Sequence, residues 1–152
     1  MEGINQPFVI RPMLPDDLVP VLEIERESNP SPWSVDQFRA ELDNNVSSVD
    51  LLLVENEIAA YICSWKIVDE LQVQNVATAP RHRRKGIAAM LLAELLKKAA
   101  NEGVSRVFLE VRTGNKAART LYEKFGFTIQ GVREKYYADN EDAYLMELEM
   151  SS

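Results

Sequence analysis

From Ile87 onward, Leu91, Leu92, Leu95, Leu96 and Ala99 recur at helical spacing, while Glu94, Lys97, Lys98 and Asn101 hold the other side. No other stretch constrains the fold so strongly, because a helix with so apolar a side must be covered. Its ends are marked: Gly86 stands where it begins, and Gly103 is placed to end it in a left-handed conformation. Immediately before Gly86 run Arg81, His82, Arg83, Arg84 and Lys85. Four of the chain's 17 Lys and Arg residues thus fall in five positions, although the formal net charge is −7. At such a helix start the first backbone N–H groups lack acceptors and carry the positive end of the helix dipole. Gly86 permits close approach, Ala88 keeps the next position small, and the flanking cations suit a diphosphate. The spacing fits neither a Walker loop nor a dinucleotide-binding glycine fingerprint. A bare run of this kind is otherwise a solvated loop.

The elements around this helix predict a mixed α/β layout. "FVIRPM" (Phe8 to Met13) reads as a strand, and "DDLVPVLEIERES" as a helix in which Pro20 is tolerable near the first turn. Ser34 and Gln37 fit a capping box that opens a second helix ending at Asn44 and Asn45. Three strands follow, Val49 to Glu55, Ile58 to Val68 and Leu71 to Ala79, with turns at Asn56 and at Asp69 and Glu70; their pattern is an antiparallel meander. After the long helix come a short strand, Arg106 to Val111, and a helix from about Asn115 that Gly126 stops. Two closing strands, "FTIQGVREKYY" and "AYLMELEM", flank the turn "ADNED". The order is β-α-α-β-β-β-α-β-α-β-β, without repeats or linkers, and residues 1–152 are expected to form a single domain with a mostly antiparallel central sheet.

Composition removes several classes of function. One cysteine, Cys63, and one histidine, His82, leave no intrachain disulfide and no Cys/His zinc site, so no metal is expected. The net charge of −7 argues against the broad basic surface of a nucleic-acid binder. No apolar run is long enough to span a bilayer, and "MEGINQPF" lacks the layout of a signal peptide, so the expected address is cytoplasmic, away from membranes. Cys63 lies in an apolar strand with no histidine partner in the pattern, which argues against a nucleophile. His82 is expected to touch solvent or phosphate.

"VATAPRHRRKGIAAMLLAELLKKA" resembles motif A of the GCN5-related N-acetyltransferase (GNAT) superfamily, [QR]-x-x-G-x-[GA], with Arg83, Gly86 and Ala88 at its defined positions. "FLEVRTGNKAARTLYEKFGF" resembles the second block of that superfamily. "IRPMLPDDL", "SPWS", "NVATAP" and "YYADNEDAYLMEL" look like the ribosomal-protein alanine N-acetyltransferases, so the resemblance covers nearly the whole chain. Asn29, Thr78 and Ala88 depart from the residues most common there. The resemblance implies acetyl-CoA as donor and direct attack by an amine on the thioester. It also implies that the backbone of Val76, Ala77 and Thr78 receives the acetyl group and pantetheine arm. Arg84, Lys85, Gly86, Ile87, Ala88 and Ala89 match the pyrophosphate loop, and Asn115 matches a pantetheine contact. Asn is equally a favoured helix N-cap.

Two side chains then carry the proton transfers. Glu110 interrupts "VFLEV", with Val107, Leu109 and Val111 facing one way and Phe108 and Glu110 the other. Burial in that strand is expected to raise its pKa and make it a better base. The pattern alone leaves a structural pairing with Arg112 or Arg106 equally open; the resemblance assigns the base. Tyr122, with Ala118, Leu121 and Phe125 on one helix face, is by pattern a core residue, and by resemblance the acid that protonates the departing thiolate.

The acceptor is less directly given. An α-amino group has a pKa of about 7.7–8.0 and Lys about 10.4, so near pH 7 far more α-amine is already neutral. A single carboxylate base serves it more easily. The expected acceptor is a protein N-terminus, that of a ribosomal protein beginning with alanine. A lysine or small-molecule amine, or a non-catalytic CoA-binding module, are the alternatives. Glu23, Glu25, Glu27, Glu141 and Asp142 form acidic clusters that could attract a basic segment, or be plain solvated surface. Trp33, Tyr136 and Tyr137 are candidates for the walls of a groove.

Overall fold

The structure, a computed structural model, describes residues 6–150. The N-terminal "MEGIN", on which part of the signal-peptide reading rests, lies outside them. Seven strands form one sheet: β1 (Phe8–Pro12), β2 (Ser47–Val54), β3 (Glu57–Ile67), β4 (Glu70–Thr78), β5 (Arg106–Arg112), β6 (Thr128–Arg133) and β7 (Ala143–Glu149). Their order is β1-β2-β3-β4-β5-β7-β6. Every neighbouring pair is antiparallel except β4 with β5. The helices are α1 (Leu18–Ser28), α2 (Val35–Leu42), α3 (Ile87–Asn101) and α4 (Lys116–Lys124), with short 3₁₀ turns at Pro15–Asp17 and Pro80–His82. None is long and apolar enough among the described residues to cross a membrane.

The element order matches the expected one, and several local signals act as read. Ser34 accepts a hydrogen bond from the Gln37 N–H while the Gln37 side chain accepts one from the Ser34 N–H, at 3.2 and 2.7 Å. Gly103 ends α3 at φ 80° and Gly126 follows α4 at φ 98°, left-handed conformations that a glycine adopts without strain. Two extents differ. The β3–β4 turn is at Val68 and Asp69, with Glu70 already in β4, and β6 stops at Arg133, so Glu134 to Tyr137 belong to a loop.

Each face of the sheet has its own core. Leu52, Val54, Ala60, Ile62, Leu71, Val73, Val107 and Leu109 pack under α3 and α4. Val49, Leu51, Tyr61, Cys63 and Ala77 pack under α1 and α2 with Phe38. β2 and β3 are therefore covered on both sides, which explains why "LLLV" and "AAYIC" are continuously apolar and do not alternate.

Two features of β4 prepare the site. Its pairing with β5 covers only Glu70–Val73 against Arg106–Leu109, after which the two parallel strands part. At the same level the β3–β4 register shifts, with Ser64 opposite Val73 but Cys63 opposite Asn75, so Gln74 is an extra residue. A one-residue bulge reverses the facing of the residues beyond it. Asn75 and Ala77 consequently turn toward α1 and α2.

Candidate active site

Where β4 and β5 part, a cleft opens between Gln74–Thr78 on one side and Glu110–Arg112 on the other. β5 keeps β7 as its outer partner as far as Arg112, and β4 keeps β3 as far as Thr78. The inner edge of β4 thus presents the main-chain groups of Val76 and the Thr78 N–H without a strand partner, while Ala77, opposite Tyr61, turns its own toward β3. Both parallel strands lead at this end into helix N-termini, the arrangement in which α/β folds bind ligands.

The loop from Pro80 to Gly86 sets the start of α3 at the mouth of the cleft. Arg84 at φ 64° and Gly86 at φ 75° are both left-handed. The first intrahelical bond runs from the Met90 N–H to the Gly86 carbonyl, 3.1 Å, and the N–H groups of Ile87, Ala88 and Ala89 make no backbone hydrogen bond among the described residues. Backbone donors gathered around alternating conformations form an anion cradle. The residues matching the pyrophosphate loop fit that group.

Only part of the basic cluster is available to a ligand. Arg81 pairs with Glu57 at 2.9 Å, and Arg83 donates to the Thr78 carbonyl (Nε, 3.1 Å) and to Ser28 Oγ (Nη2, 3.0 Å), tying the loop to β4 and α1. His82, expected at solvent or phosphate, is instead buried, with Nε2 3.2 Å from Glu57 and Nδ1 3.5 Å from Lys85 Nζ. The 3₁₀ turn at Pro80–His82 directs its ring inward, a reversal that charge patterning does not reveal. Arg84 forms no ion pair among the described residues, and it and Lys85 are the cations left beside the cradle.

Glu110 faces away from α3 and α4, as the alternation of β5 requires, but it is only half-buried and not enclosed as expected. Its side chain is 31% exposed and lies 3.6 Å from Arg133. That partner comes from β6, whereas the two local candidates are taken: Arg106 by Glu147, and Arg112 by Asp139 (2.8 Å) and Glu141 (3.0 Å). The Arg112 guanidinium also lies 4.0 Å over the Tyr137 ring, holding the β6–β7 loop against the end of β5.

Tyr122 is buried on the opposite face of β5, with its ring 5.7 Å from that of Phe127. Its hydroxyl makes no hydrogen bond among the described residues, and burial, then the nearby Tyr137, push its pKa up to about 12. It therefore holds its proton throughout the neutral range. Tyr137 is near enough to act electrostatically with both candidates, its own pKa raised to about 12 by burial and, more weakly, by Glu110. Tyr136 and Tyr137 meet edge to face at 5.1 Å, and Trp33 packs on Phe38 at 5.2 Å in the α1–α2 loop. Asn115 caps α4, its Oδ1 accepting from the Ala118 N–H at 3.2 Å, which leaves the side-chain amide donor free.

The acidic clusters are largely structural. Glu141 accepts from Arg112 and from the Gly114 N–H at 2.8 Å, and Asp142 accepts from the Lys135 N–H at 2.8 Å. Glu25 is completely buried; Glu23 and Glu27, two positions before and after it on α1, stay exposed. The Cys63 thiol is also buried, and burial pushes its pKa up, the wrong direction for a nucleophile.

Residues 18–127 match the model of the acetyltransferase (GNAT) family. A ribosomal protein bS18-alanine N-acetyltransferase of Salmonella typhimurium is 33% identical over 138 residues, which cover 89% of this chain and 93% of that one. An N-alpha-acetyltransferase of Saccharolobus solfataricus is 32% identical over 152 aligned positions, covering 91% of each. Among solved structures, the ribosomal-protein-S18-alanine N-acetyltransferase of Escherichia coli superposes with a TM-score of 0.90 at 31% identity over 96% of both chains.

Proposed function

The chain belongs to the acetyltransferase (GNAT) family, and from that premise we propose that it transfers the acetyl group of acetyl-CoA to the N-terminal α-amino group of a protein, a ribosomal protein beginning with alanine. The observation that carries this reading is the parting of β4 and β5 beside the uncapped start of α3. The cleft then offers an anion cradle and a free strand edge, with Glu110 and Tyr122 on the two faces of its β5 wall. The acceptor is supported by the Salmonella and Saccharolobus relatives, whose names share an α-amine as substrate.

Acetyl-CoA supplies an activated acyl group as a thioester. The N–H groups of Ile87, Ala88 and Ala89, with Gly86 beneath them and Arg84 and Lys85 beside them, hold its diphosphate. The open edge at Val76 and Thr78 accepts the acyl end and the pantetheine arm as a strand accepts a neighbour, and the Asn115 amide donor adds a contact. Glu110, partly open to solvent, takes the proton from the incoming amine, directly or through water. Tyr122 gives its proton to the departing sulfur; at neutral pH it carries that proton, and its hydroxyl has no competing hydrogen-bond partner among the described residues.

The test compares an alanine-starting basic peptide with its N-blocked, lysine-bearing version, following CoA release and peptide mass. Acetylation of the free N-terminus is expected. Activity confined to the blocked peptide would reject the α-amine, and failure to acetylate any amine would reject the enzymatic reading.

A further inference from the structure

Glu25 is the one carboxylate among the described residues with 0% exposure, and it forms no ion pair among them. Four donors replace one. Oε1 accepts from the Tyr61 hydroxyl and from Asn75 Nδ2 (3.0 Å); Oε2 accepts from the Trp33 main-chain N–H (2.8 Å) and from Asn29 Nδ2 (3.1 Å). Asn75 also donates to the Tyr61 hydroxyl at 3.2 Å, closing a ring, and burial with Glu25 pushes the Tyr61 pKa upward. A buried charge is tolerated only with such complete hydrogen bonding.

The four donors lie at places that matter to the cleft. Asn29 and Trp33 belong to the α1–α2 loop, which leans over the sheet face toward which Glu110 points. Asn75 is the first β4 residue beyond the extra Gln74, and only the bulge turns it toward α1. Tyr61 anchors the set to the centre of β3. One carboxylate thus fastens a loop containing Pro30 and Pro32 to the strand segment that has left β5.

We propose that Glu25 is a positioning residue for the acceptor: it holds the Asn29–Trp33 loop and the free half of β4 at a fixed separation, and so sets the width of the groove that the acceptor's N-terminal residues enter. The inference rests on the function proposed above but concerns a different site from the CoA cradle, whose anchors are Arg83, Gly86 and the start of α3. Glu25 touches neither substrate, being sealed from the cleft. It acts through Trp33 and Asn75. The Trp33 main-chain N–H can only donate, so glutamine has to keep its carbonyl there and turn its NH₂ toward Tyr61 and Asn75, which now donate to Glu25; the ring as it stands is then broken.

The experiment uses the full chain with Glu25→Gln. The KM for an alanine-starting peptide is expected to rise about tenfold or more, with acetyl-CoA affinity by calorimetry falling no more than about threefold, because the diphosphate cradle is untouched and only the Val76–Thr78 edge is shared. Hydrogen exchange is expected to quicken at residues 29–34 and 74–78 and to stay unchanged at the first turn of α3. Should Glu25→Gln not fold, Asn29→Ala removes one half-buried donor of the same set together with the turn bond from the Ser31 N–H, and is expected to raise the peptide KM about threefold. A peptide KM within twofold of wild type in a folded variant would overturn the proposal, as would an equal loss of acetyl-CoA affinity. If the unmodified protein acetylates no peptide, the acceptor assignment fails separately, and the exchange pattern still decides whether Glu25 holds these two segments.

Discussion

Tyr122→Phe separates catalysis from packing more cleanly than any other single change. The ring of Tyr122 lies in the core with Phe127, but its hydroxyl has no hydrogen-bond partner among the described residues. Phenylalanine keeps the ring and loses nothing that the fold uses. The hydroxyl makes no bond that the fold uses, so its removal is expected to leave stability unchanged within about 1 kcal/mol. The hydroxyl's role as acid is worth about 10²–10⁴ in rate, which is about 2.7–5.4 kcal/mol of barrier. The variant should therefore be about as stable as the parent in urea while kcat for peptide acetylation falls at least a hundredfold. Alkaline titration gives an independent reading. Because the folded protein holds the Tyr122 proton to about pH 12 while the unfolded chain releases it near 10, stability is lost as pH rises through that interval, by an amount on the order of 2–3 kcal/mol. That alkaline loss should be smaller by about this amount in Tyr122→Phe. A variant whose kcat stays within threefold of wild type, or whose urea midpoint drops sharply, would refute the reasoning.

Glu110→Gln is expected to lower kcat about 10²–10⁴-fold at neutral pH and to recover part of the loss at alkaline pH, where the amine arrives neutral; a pH–rate profile parallel to wild type would count against the base. Gly86→Ala places a Cβ on a residue at φ 75° and is expected to weaken acetyl-CoA binding measured by calorimetry, besides costing about 1–2 kcal/mol of stability. Asp17 accepts from Arg11 through both oxygens at 2.7 and 3.0 Å and from the Leu14 N–H at 2.8 Å, and the Arg11 bonds hold its pKa below the usual carboxylate value. Its contribution is thus present above the unfolded value of about 3.9 and is lost as pH falls through the lower folded one. Asp17→Asn should lower stability by about 1–3 kcal/mol at pH 7, a difference from wild type that shrinks in acid-unfolding curves below about pH 4. Val68 is a β-branched residue at φ 58° and 87% exposed, so Val68→Gly should stabilise the protein by about 0.5–1 kcal/mol in a denaturant titration, and a loss would show that the turn conformation is not strained.

Most of the fold was legible because its signals are local. The capping box at Ser34, the glycines after α3 and α4, and the 3.6-residue stripe of α3 are each decided by a few neighbouring residues. Alternation along "RVFLEV" placed Glu110 on one face and Val107, Leu109 and Val111 on the other, and the strand obeys it. The same periodicity could not say how deep Glu110 lies, because exposure depends on what stands opposite, and on that face β4 has left. Glu23, Glu25 and Glu27 show the limit from another side: identical residues at alternate positions read as one acidic patch, yet Glu25 is sealed while its neighbours are solvated. The helical angle separates them, but only the donors brought by β3, β4 and the α1–α2 loop make the buried position tolerable.

By itself the sequence determined the succession of elements, the helix that starts on a glycine beside concentrated positive charge, and the residues that carry the family resemblance. These are short-range matters of period, capping and backbone freedom, written where they act. Only the tertiary structure decided how that charge is divided, with Arg81, His82 and Arg83 engaged by Glu57, Thr78 and Ser28 and Arg84 and Lys85 left beside the cradle. It also decided that β4 parts from β5 after Val73, that an extra Gln74 turns Asn75 toward Glu25, and that Tyr122 and Glu110 occupy opposite faces of β5. The physical reason is that a cleft, a bulge and a buried carboxylate are defined by pairs of groups far apart in the chain. No window along the sequence contains both members of those pairs.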